Sequence, residues 1–226
     1  MFKNIEMLDK KKFKSLKFSI VDPKTVAKSI GMIPLGFDEI ISMSCFAPVF
    51  IFGKGDKEFV SFTGISNEIS IYNKKDAYLP NFVKTYPFIN TYAKDENNNK
   101  VSVISIDNNP LYVNKKQKEF IFNKKGNLQK LANEKIEQVK ELTRKRDISK
   151  RIIDELEKYN LLEKQSFKVQ LNGEEKTIIE EFYIINRKKL VELDDKLLSL
   201  WAKKGWITII DCHLKSLSNF QDIFNK

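Results

Sequence analysis

Residues 167–185 have the sequence FKVQLNGEEKTIIEEFYII, which carries the strongest local structural signal in the chain. Apolar and polar residues alternate over its first positions, as they do in a strand with one buried face. Asn172-Gly173 then supplies a dipeptide that favours the two-residue turn of a β-hairpin. Residues 177–185 are rich in β-branched and aromatic side chains, so we predict that they form the returning strand.

The sequence on both sides of this hairpin has a helical pattern. Residues 128–159 contain no Gly or Pro and repeat apolar residues at helical spacing; a change of phase near Asp147 predicts a bend or two consecutive helices. After the hairpin, Asn186 is a suitable N-cap for a helix with an apolar stripe, and Gly205 is suited to end it. Residues 206–212 are rich in β-branched side chains and predict another strand before a short last helix.

The front of the chain indicates antiparallel strands. Residues 49–52 are continuously apolar, residues 53–56 have a turn sequence, and residues 59–65 predict the partner strand. Residues 88–92 and 101–106 predict a second pair joined by an Asn-rich loop. Strands followed by helices, without alternating βαβ units, predict an α+β fold. We expect a strand-rich N-terminal half with antiparallel hairpins and a helical C-terminal half with one further β-hairpin.

The domain organisation is inferred from the sequence between these halves. The chain has no linker rich in Pro, Gly or Ser and no internal repeat, which predicts a single domain over residues 1–226. The sequence changes character after Gly126. A sub-boundary would therefore fall there, between a β-rich part (1–126) and a helical part with a hairpin (127–226).

The net charge raises the question of a polyanionic partner. It is formally +10, but most of the positive charge is lysine, and arginine, the better reader of phosphates and bases, is scarce. Basic residues between Lys140 and Arg151 are interleaved with acidic ones on the long predicted helix, and the segment lacks aromatic residues that could stack on bases. We therefore do not expect a nucleic-acid partner.

The sequence shows no targeting or membrane-spanning segment. Residues 1–17 mix lysines with acidic residues and lack the apolar region of a signal peptide. The most apolar stretch, residues 40–52, is too short to cross a bilayer and contains Pro48. Two isolated cysteines fit a reducing compartment. We predict a soluble cytoplasmic protein, with export to the cell surface without a signal peptide as the alternative.

Reactive side chains are few. His213 is the only histidine, which excludes metal sites that need two or three of them, and we predict neither a metal nor a cofactor. Cys45 and Cys212 are interpreted as buried, inert thiols. The predicted strand would place Cys212 and His213 on opposite faces. A Cys45 nucleophile with His213 as its base remains the one enzymatic alternative, so catalysis is left open but is not expected.

Several short motifs follow one another along the chain: IPL (33–35), PVF (48–50), YLPNFVKTYPF (78–88), ID (106–107), FIFNKKG (120–126) and HLKSL (213–217). In this order they resemble the SapC family. The resemblance runs from about Lys14 to the end, and residues 78–88 are its most specific part. Lys84 departs from the pattern because an Arg is usual there, and a His that is common near the family's N-terminus is not found.

The resemblance implies a role connected with the paracrystalline surface layer of certain bacteria or with peptide transport, and it supplies no catalytic residue. Residues 78–88 are interpreted first as a rigid apolar corner and second as a peptide-binding groove lined by Tyr78, Phe82, Tyr86 and Phe88. The candidate binding residues are Tyr78, Pro80, Phe82, Lys84, Tyr86, Pro87, Phe88 and His213.

The predicted function is a non-catalytic accessory or binding protein for a peptide or protein, serving the biogenesis or export of a surface-layer or other cell-surface protein. One alternative is an enzyme acting on a peptide or protein through Cys45 or His213. Another is a structural component of the surface layer itself. The sequence does not indicate the oligomeric state.

Overall fold

The computed structural model describes residues 1–73, 76–171 and 173–224, and these fall into two compact units. The first unit comprises Met1–Ser29 and Asn81–Arg144, and the second comprises Ile30–Pro80 and the chain from Lys145 onward. The sub-boundary expected near Gly126 lies inside the first unit.

The elements confirm the α+β class. Short 3-10 segments occur at Phe37–Glu39, Ile71–Asn73 and Leu217–Asn219. The strands are β1 (Ile5–Met7), β2 (Lys17–Phe18), β3 (Met32–Pro34), β4 (Val49–Phe52), β5 (Glu58–Phe62), β6 (Phe88–Lys94), β7 (Lys100–Asp107), β8 (Val113–Asn114), β9 (Glu119–Phe120), β10 (Leu162–Leu171) and β11 (Glu174–Ile185). The helices are α1 (Lys10–Phe13), α2 (Pro23–Lys28), α3 (Ile40–Met43), α4 (Asn81–Lys84), α5 (Lys130–Lys158), α6 (Arg187–Val191), α7 (Asp195–Lys203), α8 (Trp206–Ser216) and α9 (Phe220–Phe224).

The first unit contains two antiparallel three-stranded sheets, β1-β7-β6 and β8-β2-β9. Its core combines aromatic residues such as Phe18 and Phe88, whose rings meet edge to face at 5.2 Å, with one face of α5. Ala132, Ile136 and Val139 form that face because they recur at helical spacing.

The second unit is built on one antiparallel sheet with the strand order β10-β11-β4-β5-β3. Phe220 of α9 packs against Phe50, Phe62, Phe167 and Phe182, with ring centroids 4.3–6.0 Å apart. Each such ring, when fully buried, contributes about 1.5–3 kcal/mol to folding, so this cluster is a major part of the second unit's core.

The three predicted hairpins are confirmed as β4–β5, β6–β7 and β10–β11. Gly173 has the positive φ of 84° that suits its turn, while Asn172 lies outside the described residues. Asn186 caps a helix as predicted, by accepting a hydrogen bond from the backbone N–H of Lys189. The single helix expected to run from there to Gly205 is wrong, because α6 ends at Val191 and α7 begins at Asp195.

Other predictions about regular structure need correction. Residues 206–212 form the start of α8 and not a strand, because Ile209, Ile210 and His213 are buried together on one helical face. The β preference of this segment therefore yields to tertiary packing. The long helix α5 is continuous over Lys130–Lys158, so the alternative of two consecutive helices is wrong, while the bend stays a prediction. The buried residues of its two halves belong to different units, which accounts for the change of apolar phase.

Candidate functional site

His213 is a buried structural residue of α8. Its Nδ1 lies 2.7 Å from the Val49 carbonyl, so this nitrogen carries the proton, and its Nε2 accepts the Ile185 backbone N–H at 3.1 Å. Burial lowers the pKa of His213 to about 4, which keeps the ring neutral at pH 7. Both ring nitrogens are thus used to tie α8 to β4 and β11, and neither is available as a base for Cys45.

The two thiols are not buried, which corrects the sequence interpretation. Cys45 is exposed and Cys212 is partly exposed. The apolar sequence around Cys45 was misleading because α3 buries Ile40 and Met43, and the thiol that follows points away from that face. Cys212 and His213 are neighbours on a helix and not on a strand.

The motif at residues 78–88 is divided between the two units, after Pro80. In the second unit, the half-buried Tyr78 donates its hydroxyl hydrogen to Glu39 Oε1 at 3.0 Å. Glu39 is 1% exposed and also accepts the Gly36 backbone N–H at 3.0 Å. Tyr78 therefore satisfies a buried carboxylate, which is a structural contact.

In the first unit, most of the motif is core. Phe82, Tyr86, Pro87 and Phe88 are buried, and the Tyr86–Pro87 peptide bond is cis. The half-buried Lys84 accepts a hydrogen bond from Lys135 Nζ through its backbone carbonyl.

This burial favours the interpretation of the motif as a rigid apolar corner. Pro80 is also buried, in the second unit. Ligand binding by Tyr78, Pro80, Phe82, Lys84, Tyr86, Pro87, Phe88 and His213 stays a prediction.

The second unit contains a groove that the sequence did not indicate, with a volume of about 670 Å³. Met32 pairs with Phe62, and Phe52 pairs with Glu58, four residues before Phe62, so these three apolar side chains share one face of the sheet. We call this cavity the β11 groove. Its apolar lining includes Met32, Phe52, Phe62, Ile65, Ile178 and Ile179, and its polar lining residues are Lys54, Glu180 and Glu181.

The β11 groove lies beside a strand edge that the sheet leaves open. Among the described residues, Tyr183–Ile51 is the single pair that joins β11 to β4, so residues 177–181 have no strand partner on that side. The β10–β11 ladder shifts register between Gln165 and Lys168, opposite this segment. Such bulges bend a strand and commonly mark places where regular pairing stops.

The rim of the β11 groove is polar, and two contacts hold the Glu181 carboxylate in place. Glu181 accepts the Tyr183 hydroxyl at 2.7 Å and pairs with Lys164 at 3.0 Å, and these contacts lower the pKa of Glu181. The groove thus combines an apolar floor, an ionised carboxylate and a lysine, Lys54, at its edge. This arrangement can hold the apolar side chains of a ligand while the polar backbone of the ligand stays at the rim.

A comparison with protein families gives one match. The family model SapC matches residues 8–223, which is nearly the whole chain. The chain belongs to the SapC family. The resemblance inferred from the motifs is therefore confirmed. No curated protein and no solved structure matches the chain.

In this SapC-family chain, both the β11 groove and residues 78–88 lie inside the matched range, whereas residues 1–7 precede it. The described part of the chain contains no cluster of three or more His, Cys, Asp or Glu residues that could hold a metal ion. Over the same described ranges, no helix combines the length and apolar character needed to cross a membrane.

The basic residues of α5 in this SapC-family chain are largely paired with carboxylates. Lys140 and Arg144 pair along the helix, as the interleaved charges predict. Lys145, Arg146 and Lys150 reach acidic side chains of the same unit. The acidic partners are Glu137 (2.7 Å), Glu141 (2.8 Å), Asp38 (2.6 Å), Glu58 and Asp56 (2.6 Å).

Proposed function

We propose that this SapC-family chain is a non-catalytic accessory protein that binds an extended segment of a surface-layer or other cell-surface protein during its biogenesis or export. The observation that carries the proposal is the open edge of β11 beside an apolar groove.

An open strand edge is suited to an extended peptide. Its backbone N–H and C=O groups pair with any sequence, because the main chain is common to all peptides. Side chains of the added strand point alternately to its two faces, so every second one can enter the β11 groove. The groove's volume of about 670 Å³ falls within the range of roughly 300–1,000 Å³ that is usual for small-ligand sites.

The chemistry of the lining defines the segment that fits. Ile178, Ile179 and Phe62 favour aliphatic or aromatic side chains, and the rim charges of Lys54 and Glu180 oppose each other in sign. The segment that fits best is therefore an apolar strand of low net charge. The surface-layer part of the proposal is supported by the association from which the family takes its name.

The test is a binding assay with a panel of fluorescent peptides that tile the surface-layer and exported proteins of the source organism. We expect apolar, strand-forming peptides to bind the full chain and the Ile178→Glu variant to bind them at least about tenfold more weakly, because a carboxylate in the groove would be desolvated by the peptide.

Ile184→Glu is the matched control. Ile184 is on the same strand and is also partly exposed, but it does not line the groove. We expect this variant to bind like the wild type. Equal binding by wild type and Ile178→Glu would show that the groove is not the site, and failure of every surface-protein peptide would remove the surface-layer assignment.

A further inference from the structure

Residues 2–7, which we call the arm, lie along the first unit as an added strand. β1 pairs with β7 through Ile5–Asp107, Glu6–Ile106 and Met7–Ser105. Beyond the strand, the Asn108 N–H donates to the Asn4 carbonyl at 2.8 Å. The arm is therefore held by main-chain hydrogen bonds, the mode by which extended peptides bind sheet edges. The Glu6 carboxylate adds side-chain contacts, because it accepts Asn108 Nδ2 at 3.1 Å and pairs with Lys12.

Asp107 anchors the arm through its carboxylate. It is 1% exposed and accepts the backbone N–H groups of Phe2 at 2.8 Å and Asn4 at 3.0 Å. Its Oδ2 also accepts the Tyr86 hydroxyl at 3.0 Å. Two of the three hydrogen bonds to this buried carboxylate thus come from the main chain of the arm, which any peptide could supply.

The ring of Phe2 supplies the side-chain anchor. Its centroid lies 4.9 Å from that of Phe82 and 5.2 Å from that of Tyr86. These two aromatic residues belong to the motif at 78–88, whose candidate binding role was inferred from the sequence. We call Phe82, Tyr86, Asp107 and the adjoining edge of β7 the arm site.

Three features indicate that the arm is a replaceable occupant of this site. Phe2 has a φ of 57°, a left-handed conformation that is unfavourable for a residue with a bulky side chain. Met7 is 58% exposed, and β1 contains only three residues. The family match begins at residue 8, so it includes the residues of the arm site but not the arm.

We propose that the arm site is a second peptide-binding site, which the arm occupies in the resting chain and an extended segment of another protein takes over by displacement. The ligand is a strand with an aromatic residue followed three positions later by an aliphatic one, as Phe2 and Ile5 are placed. Displacement is one for one, because an empty site would leave the buried Asp107 without two of its donors. This proposal is independent of the β11 groove.

The experiment uses the full chain and a fluorescein-labelled peptide with the sequence MFKNIEML, that of residues 1–8. Phe2→Ala weakens the binding of the arm to the arm site and leaves the residues of the arm site unchanged. We expect this variant to bind the peptide at least about tenfold more tightly than the wild type does, because the competing arm no longer holds its anchor. In the Phe2→Ala/Asp107→Asn double variant, the tighter binding should be lost.

Controls separate the site from non-specific association. Lys3→Ala, at an exposed arm residue, should behave as the wild type does. A peptide with Ala in place of Phe, MAKNIEML, should not compete. Equal competition by both peptides, or equal affinity of wild type and Phe2→Ala, would overturn the proposal.

Hydrogen exchange of the Asn108 amide, which donates to the Asn4 carbonyl of the arm, gives a second readout that does not depend on the peptide. Faster exchange is expected in Phe2→Ala, and also in Asn4→Pro, which lacks the N–H that Asp107 accepts. Added peptide should restore protection. Release of the arm without rescue by the peptide, or loss of folding in both variants, would show that the arm is an integral strand and not a replaceable ligand.

Discussion

At the residue scale, His213 shows how a side chain typical of catalysis can instead join elements of the fold. The imidazole joins α8 to two strands, and it does so only when neutral, because Nε2 must accept the Ile185 N–H. Tyr78 plays a comparable part for the buried Glu39. The sequence singled out both residues correctly as unusual, but their burial decides what they do.

The pKa of His213 makes stability depend on pH. The pKa is about 4 in the folded chain and 6.5 for an unperturbed imidazole, so the unfolded state binds the proton more readily. This contribution to the free energy of unfolding is complete above about pH 6.5 and is lost as the pH falls to about 4, with a total of about 3 kcal/mol. Urea unfolding at several pH values should show that the free energy of unfolding falls more steeply with decreasing pH for the wild type than for His213→Gln. Parallel curves would contradict this account.

Removal of the Tyr78 hydroxyl tests the contact with Glu39. We expect Tyr78→Phe to lower the free energy of unfolding by about 1–3 kcal/mol, because a buried carboxylate loses a donor. Tyr92→Phe, at a tyrosine that is 54% exposed, is the control and should change it by less than about 0.5 kcal/mol. Chemical denaturation measures both, and similar values for the two variants would refute the structural role of Tyr78.

At the element scale, the positions of the hairpins follow from local sequence, but the residue at which the strand pairing of each hairpin stops does not. The β4–β5 turn contains two glycines with different constraints. Gly53 has a φ of 128°, and a Cβ there would lie 2.3 Å from the Asp56 carbonyl oxygen, whereas at Gly55 nothing lies within 4 Å. Both positions are glycine, which indicates a turn in the sequence. Only the structure shows that they differ in the room available for a side chain.

These glycines give a matched pair of substitutions. Gly53→Ala should destabilise the chain by about 1–3 kcal/mol, because it combines an unfavourable φ with a backbone clash. Gly55→Ala should change stability by no more than about 0.5 kcal/mol. Thermal unfolding of the two variants is the measurement. A loss of stability of the same size in Gly55→Ala would mean that the loss arises from the turn as a whole and not from the geometry of Gly53.

At the scale of the whole molecule, the net charge of +10 does not form an unbalanced basic surface on α5. Six of its basic side chains are paired with carboxylates within their own units, so the positive field along the helix is reduced. The protein or peptide partner stays a prediction.

Nucleic-acid binding should accordingly be weak and governed by salt. We expect a short DNA duplex to bind with a Kd no tighter than about 1 µM at physiological ionic strength and to be released as salt rises, as in non-specific association. Fluorescence anisotropy across a salt series measures this. Tight binding that persists at high salt would indicate a nucleic-acid site.

The sequence by itself determined the features that depend on neighbouring residues. These are the three hairpins with their turns, the helical character of residues 130–158 and the α+β class, because alternation, helical spacing and turn dipeptides act over a few positions. The family was also readable from short motifs.

Only the tertiary structure decided the rest. The helical state of residues 206–212 depends on burial against strands far away in sequence. The β11 groove joins residues 31–65 to residues 178–181, and the arm site joins Phe2 to Phe82 and Asp107. Non-local contacts of this kind leave no periodic trace in the chain, because they are set by which strands pair and where that pairing stops.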